Sequence, residues 1–239
     1  MPISWLNSAD THFPPLDLSL PDGLLAAGGD LSPDRLLAAY QQGIFPWFNR
    51  KDPILWWSPN PRMVLFTHEI NITKSLKKLL RKNNYTITID QAFSGVMTAC
   101  SKPRPNQHIN DDHPTWIHPE MIKAYTLLHE LGYAHSVECW NDDKLVGGLY
   151  GVSIGKIFFG ESMFSTQANT SKIALVALCQ RLQQYSFPLI DCQVYSDHLA
   201  SLGAREIARI DFIDYLKDFC GKKTDKSCWQ LSQQTADLL

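Results

Sequence analysis

Gly147-Gly148-Leu149-Tyr150-Gly151 and Phe158-Phe159-Gly160-Glu161-Ser162-Met163-Phe164-Ser165 are two apolar segments, each broken by glycine and joined at Ser153-Ile154-Gly155-Lys156. Glycine inside a strand weakens it and marks a bulge or the close approach of another backbone or a ligand. Glycines at 147, 148, 151 and 160 interrupt runs of Leu, Val, Ile and Phe, and a single carboxylate, Glu161, lies in the second run. The expectation is a pair of strands at which a sheet opens to admit a guest.

The neighbouring segments supply the rest of that sheet. Tyr133 to Trp140 alternates as a strand and turns at Asn141-Asp142-Asp143 into the glycine-broken pair. Asn169 or Thr170 can cap a helix in which Leu175, Leu178, Cys179 and Leu182 form one stripe. Pro188 to Val194 then reads as a buried strand, with Asp191 and Gln193 on one side because side chains two apart share a face. A last helix near 211–220 places Phe212, Tyr215, Leu216 and Phe219 together. Upstream, Tyr85 to Ile89 alternates, and Pro119 opens a helix whose Met121, Ile122, Tyr125 and Leu128 face inward before Gly132 closes it. This order predicts an α+β or mixed α/β core from about residue 67 onward.

Residues 1–30 read as loops and short strands. Ser32 then caps a helix with Pro33 at its first position and Gly43 after its end. Three tryptophans follow within eleven residues (Trp47, Trp56 and Trp57) among prolines, a pattern no regular helix accepts. They form an aromatic core under a proline-rich loop, except that Trp47 is held where its ring can stack on a ligand.

Bulk properties restrict the choices further. The 239 residues are 44% hydrophobic and 19% charged, enough for an ordinary globular core. With a net charge of −2, nucleic-acid binding must come from a local patch. One is present: Lys74, Lys77, Lys78, Arg81 and Lys82 recur at helical spacing over 71–82, opposite Ile72, Leu76, Leu79 and Leu80, with no acid inside the helix. Two readings stay open, a solvated face and a face for a phosphate backbone. Six scattered cysteines without paired spacing read as reduced thiols. The absence of a signal peptide or a spanning run predicts a cytoplasmic chain.

Standard catalytic motifs are absent: no G-x-S-x-G, no phosphate-cradling loop, no H-E-x-x-H and no dinucleotide fingerprint. His108, His113 and His118 lie in a loop interrupted by Pro114, and no metal is expected there. His129 and His135 read as structural, and His198 as a site candidate beside the Asp191 strand. Asp191, Gln193 and Glu161 are polar groups in apolar strands, where burial without partners costs several kcal/mol. Each could be satisfied internally, but together, near glycine gaps, they read better as the lining of a cleft.

Several motifs in order carry a resemblance: Gly28-Gly29-Asp30-Leu31-Ser32-Pro33, Gly43-Ile44-Phe45-Pro46-Trp47-Phe48, Trp56-Trp57-Ser58-Pro59, Thr115-Trp116-Ile117, Gly160 to Ser165, and Leu189-Ile190-Asp191-Cys192-Gln193. Over residues 23–213 the chain resembles the leucyl/phenylalanyl-tRNA–protein transferases. That resemblance implies a small N-terminal domain, placed at 1–66, followed by a GNAT-like domain of the acyltransferase type at 67–239. It implies transfer of Leu or Phe, and also Met, from Leu-tRNA or Phe-tRNA to proteins beginning with Arg or Lys, which marks them for N-end rule degradation. The implied enzyme is a monomer without a cofactor. By the same resemblance, Trp47 and Trp116 hold the terminal adenosine. Leu149, Phe158, Leu175 and Leu178 line the side-chain pocket with Glu161 beside it, and Tyr125 belongs to the substrate-binding set. Asp191 and Gln193 carry catalysis, and the cations at 74–82 meet the acceptor stem. Two rivals stand against it. An acetyl-CoA enzyme would need a glycine-rich turn before Ser171, where Thr166 to Thr170 has none. A non-catalytic tRNA-binding protein would leave Glu161, Asp191 and Gln193 unexplained.

Overall fold

The computed structural model describes residues 3–7, 10–102 and 115–239. Two sheets organise it. The smaller contains β1 (Ser4–Leu6), β2 (Leu24–Gly28), β3 (Phe45–Pro46) and β4 (Leu55–Trp57), in the order β1-β2-β4-β3. Between β2 and β3 runs helix α1 (Pro33–Gln41), whose Ser32 cap accepts from the Arg35 amide, as the Ser-Pro signal predicted. Trp56 is fully buried, its indole N–H donating to the Gly28 carbonyl at 2.9 Å, whereas Trp47 is 44% exposed. The tryptophan-rich segment therefore divides as expected.

The larger sheet begins at β5 (Arg62–Phe66). The change of sheet falls before Arg62, because β5 is paired on both sides inside the second sheet. Then come α2 (Lys74–Arg81), β6 (Thr86–Ile89), α3 (Phe93–Cys100), α4 (Pro119–Glu130), β7 (Ala134–Asn141), β8 (Lys144–Ile154) and β9 (Ile157–Ser165). After α5 (Thr170–Gln184) the chain returns as β10 (Leu189–Gln193), followed by α6 (Asp197–Ala200), β11 (Arg205–Ile207), α7 (Arg209–Phe219) and β12 (Ser232–Gln234). The spatial order is β11-β5-β10-β9-β8-β7-β6-β12, and every pair is antiparallel except β9 with β10, which α5 connects. This is an α+β chain, a small N-terminal sheet followed by a mixed-sheet unit.

Each face of the large sheet is covered. On one side Phe93, Val96 and Met97 of α3, Met121, Tyr125 and Leu128 of α4, Phe212 and Leu216 of α7, and α1 with the small sheet share a core. On the other, Leu76 and Leu80 of α2 and the almost wholly buried α5 form a second core. Helix α3 escaped the sequence reading although Phe93, Val96, Met97 and Cys100 have helical spacing. It is only eight residues long, and Gly95 in its first turn lowers its intrinsic preference.

One expectation is corrected. The sheet does not open at the glycines of β8, which pairs along its length with both β7 and β9. Those glycines serve close packing instead. Thr170, at the start of α5, donates its hydroxyl to the Val146 carbonyl at 2.8 Å, and a Cβ on Gly147 would stand 2.3 Å from the Thr170 hydroxyl oxygen. The opening lies one strand further on: β9 and β10 pair only at Ile190–Phe158 and Asp191–Phe159, and both strands continue past that point. Gly147→Ala is expected to destabilise the protein by about 1–3 kcal/mol through overpacking, read as a lower denaturation midpoint at unchanged slope.

Candidate active site

Two irregularities in the ladders build the site. In β9, Ser162 pairs with Tyr150 and Gly160 with Gly151, so Glu161 is an extra residue bulged from the strand. In β10, Asp191 pairs with Val64 and Gln193 with Met63, which leaves Cys192 unpaired. The second bulge puts Gln193 at φ 65°, a conformation that side chains other than glycine rarely adopt. Bulges re-aim side chains beside active sites, and here they bring Gln193 Nε2 within 2.9 Å of Glu161 Oε1.

Around this pair the sheet parts into a cavity of about 1310 Å³. Its lining draws on both cores, with Leu149, Phe158, Leu175, Leu178 and Ile190 from one face and Phe45 and Tyr150 from the other. Trp47, Trp116, Glu161, Asp191 and Gln193 complete the set that the sequence singled out. The apolar residues form a floor, the polar groups stand at the gap in the sheet, and the wall opposite comes from α3 through Ser94, Gly95 and Thr98.

The electrostatics are specific. Asp191 is fully buried, and both its oxygens are taken: Arg62 Nε donates to Oδ1 at 2.8 Å and Nη2 to Oδ2 at 2.7 Å. Arg62 is equally buried, its guanidinium 4.8 Å from the ring centres of both Phe45 and Phe212. Glu161 Oε1 also accepts from the Tyr40 hydroxyl at 2.7 Å, and Tyr40 is bonded in turn to the Tyr125 hydroxyl. Burial raises the Glu161 carboxyl to about 7, against the opposing effect of hydrogen bonds from Tyr40, Tyr125 and Gln193. Burial first, and Glu161 second, push the Tyr40 and Tyr125 hydroxyls well up, so both remain protonated donors.

Not every expected residue reaches the cavity. Tyr125 is fully buried on the inner stripe of α4, outside the cavity lining, with its hydroxyl bonded to that of Tyr40. The cations of α2 lie outside the cavity lining. All five are exposed, and no ion pair holds any of them among the described residues. The helix is nonetheless tied to the rim: Asn71, just ahead of it, donates its amide to Leu202 at 2.8 Å, and the adjoining α6 contributes His198 and Leu199 to the cavity. His118 packs edge-on against Phe48 at 4.8 Å, while His108, His113 and most of the polar loop lie outside the described residues. No group of three His, Cys, Asp or Glu able to hold a metal occurs among the described residues. Sequence reasoning passed over Tyr40 and Arg62. A charged residue opening the apolar run Met63 to Phe66 was the available signal, because such a charge requires a buried partner.

Glu161 makes stability depend on pH in a defined direction. A carboxyl whose native value is raised to about 7 stabilises the folded chain fully below its ordinary value near 4.5. That contribution is lost as pH rises to 7, with a slope of at most about 1.4 kcal/mol per pH unit. Glu161→Gln is expected to remove the slope between those limits in denaturation curves taken across that range.

Comparison with known proteins identifies the family. The sequence model of the leucyl/phenylalanyl-tRNA protein transferase family matches residues 64–217, and that of its N-terminal domain matches 29–60. The leucyl/phenylalanyl-tRNA–protein transferase of Nitrosomonas eutropha is 60% identical over 220 residues, 91% of this chain and 90% of that one. The enzyme of the same name from Nitrosospira multiformis is 56% identical over 235 residues, 97% and 99% of the two chains. Among solved structures the likeness is distant: a GCN5-related N-acetyltransferase from Kribbella flavida is 10% identical at a TM-score of 0.32, over 74% of this chain and 61% of that one. With two family models in register and relatives of such identity over nearly the whole length, this chain belongs to the leucyl/phenylalanyl-tRNA–protein transferase family.

Proposed function

We propose that this chain moves leucine or phenylalanine, and also methionine, from aminoacyl-tRNA to the N-terminal Arg or Lys of acceptor proteins, marking them for N-end rule degradation. The observation that carries the reading is the cavity itself. It joins an apolar floor of Leu149, Phe158, Leu175 and Leu178 to Glu161 and Gln193, with Trp47 and Trp116 in the same lining. An apolar side chain without a branch at Cβ, aliphatic or aromatic, suits that floor. A base stacked on each of the two tryptophans contributes about 1–3 kcal/mol without reading the rest of the nucleic acid. The exposed cations of α2 supply phosphate contacts that fix register and carry no sequence information. The working form is a monomer in the cytoplasm; among the described residues no helix is long and apolar enough to cross a membrane.

The chemistry asks little of the protein. The amine of the acceptor attacks the ester carbonyl of the donor, a C–N bond forms, and the ribose oxygen leaves with the proton that the amine gives up. An α-amino group has a pKa near 7.7–8.0, so presenting it unprotonated at neutral pH costs only about 1 kcal/mol. Placing amine and ester together supplies several times that. Gln193 is the positioning group at the junction of floor and gap. Asp191, with both oxygens on Arg62 and one also accepting the Gln193 amide at 3.0 Å, acts through Gln193 and takes no proton itself.

Gln193→Ala should lower single-turnover transfer from Phe-tRNA to an Arg-starting peptide by roughly 10²-fold, as loss of an aligned polar contact does. Unchanged transfer would remove Gln193 from the reaction. An Ala-starting peptide or acetyl-CoA as donor should give no product. Neutralising Lys77 or Lys78 should weaken tRNA binding evenly across tRNA sequences and reduce the slope of log affinity against log salt by about one per residue.

A further inference from the structure

We propose that Arg62 is a positioning residue of the transfer reaction: it closes a ring of hydrogen bonds that sets Gln193 and Glu161 against the first helix of the chain. The inference rests on the reading of Gln193 as a group at the reacting centre. Arg62 holds both oxygens of Asp191, and Asp191 Oδ1 holds the Gln193 amide at 3.0 Å. Gln193 Nε2 donates to Glu161 Oε1 at 2.9 Å, and the Tyr40 hydroxyl donates to the same oxygen at 2.7 Å. Along the backbone, the Tyr40 carbonyl accepts from the Gly43 amide at 3.0 Å. The Gly43 carbonyl accepts from Arg62 Nη1 at 3.1 Å, which completes the circuit.

Each link demands its residue type. Gln193 is held at φ 65° against its own preference, so the bond from its amide to Asp191 decides whether the side chain points at Glu161. Gly43 has φ 73°, and a Cβ there would come within 2.8 Å of Ile213, so the turn that presents its carbonyl to Arg62 requires glycine. Arg62 spends three nitrogens on two partners in different parts of the chain, a fork that a lysine ammonium cannot reproduce. One guanidinium therefore ties the turn after the first helix to the strand that carries Gln193.

The test uses the full chain with Arg62→Lys and two readouts. In transfer from Phe-tRNA to an Arg-starting peptide, kcat should fall roughly tenfold or more while KM for the tRNA stays within about twofold, the signature of an interaction that shapes the reacting geometry alone. The second readout needs no substrate. Glu161 is faced by Tyr40 of α1, Tyr125 of α4, Tyr150 of β8, and Asp191 and Gln193 of β10. Once Gln193 stops donating, the Glu161 carboxyl should titrate upward from about 7, followed by carbon-13 NMR of labelled glutamate. Unaltered kcat, or an unmoved Glu161 midpoint, overturns the proposal. Failure of the unaltered chain to transfer any amino acid would instead overturn the functional reading and leave the titration to decide on Arg62. Should Arg62→Lys fail to fold, Arg62→Met combined with Asp191→Leu removes the pair without stranding a charge. That variant should fold and keep a low kcat, and a return to wild-type kcat would again overturn the proposal.

Discussion

A fully buried guanidinium facing a fully buried carboxylate is the constraint on which this structure turns. Taking both charges from water is costly, and an apolar pair of similar volume would often hold a fold equally well. What an apolar pair cannot do is impose direction. Arg62 has its planar face between Phe45 and Phe212 and its edge committed to Asp191 and Gly43, so the two sheets have one relative placement that satisfies it. Asp191 passes that placement on to Gln193 through a single backbone amide.

The glycines and the bulges divide the remaining work. Gly147 lets the N-terminus of α5 sit directly on β8, and the same helix provides Leu175 and Leu178 to the floor of the cavity. The bulges at Glu161 and Cys192 break the alternation of β9 and β10 where those strands stop pairing. Between them a mixed sheet, continuous elsewhere, gains a gap with polar groups at its edge and apolar residues below. Glu161, raised to about 7 by burial yet bonded to Tyr40 and Gln193, is poised between its two protonation states in that gap.

Much of this was legible in the order of residues. The cap at Ser32, the split of the tryptophans into a buried Trp56 and an exposed Trp47, the inner stripe of α4 and the strand carrying Asp191 all follow from local patterns. The joint placement of Glu161, Asp191 and Gln193 at one cavity was legible too, since a polar side chain in an apolar strand demands an explanation, whereas Trp116, Leu149, Phe158, Leu175 and Leu178 came only with the family resemblance. The glycine argument pointed to the right region and the wrong cause. A missing side chain records close approach but does not identify what approaches; at Gly147 it is a threonine of the same chain.

Sequence by itself determined most of the elements, their apolar faces and the polar members of the cavity, because periodicity, capping and the cost of burying charge act over a few residues. Only the tertiary structure decided that Tyr125 stands behind Tyr40, that the sheet parts between β9 and β10, and that Asp191 is committed to Arg62. Those facts depend on pairs 85, 32 and 129 residues apart: Tyr40 with Tyr125, Glu161 with Gln193, and Arg62 with Asp191. Local preference carries no information over such separations. A buried charge announces that it needs a partner, and the fold alone selects which one.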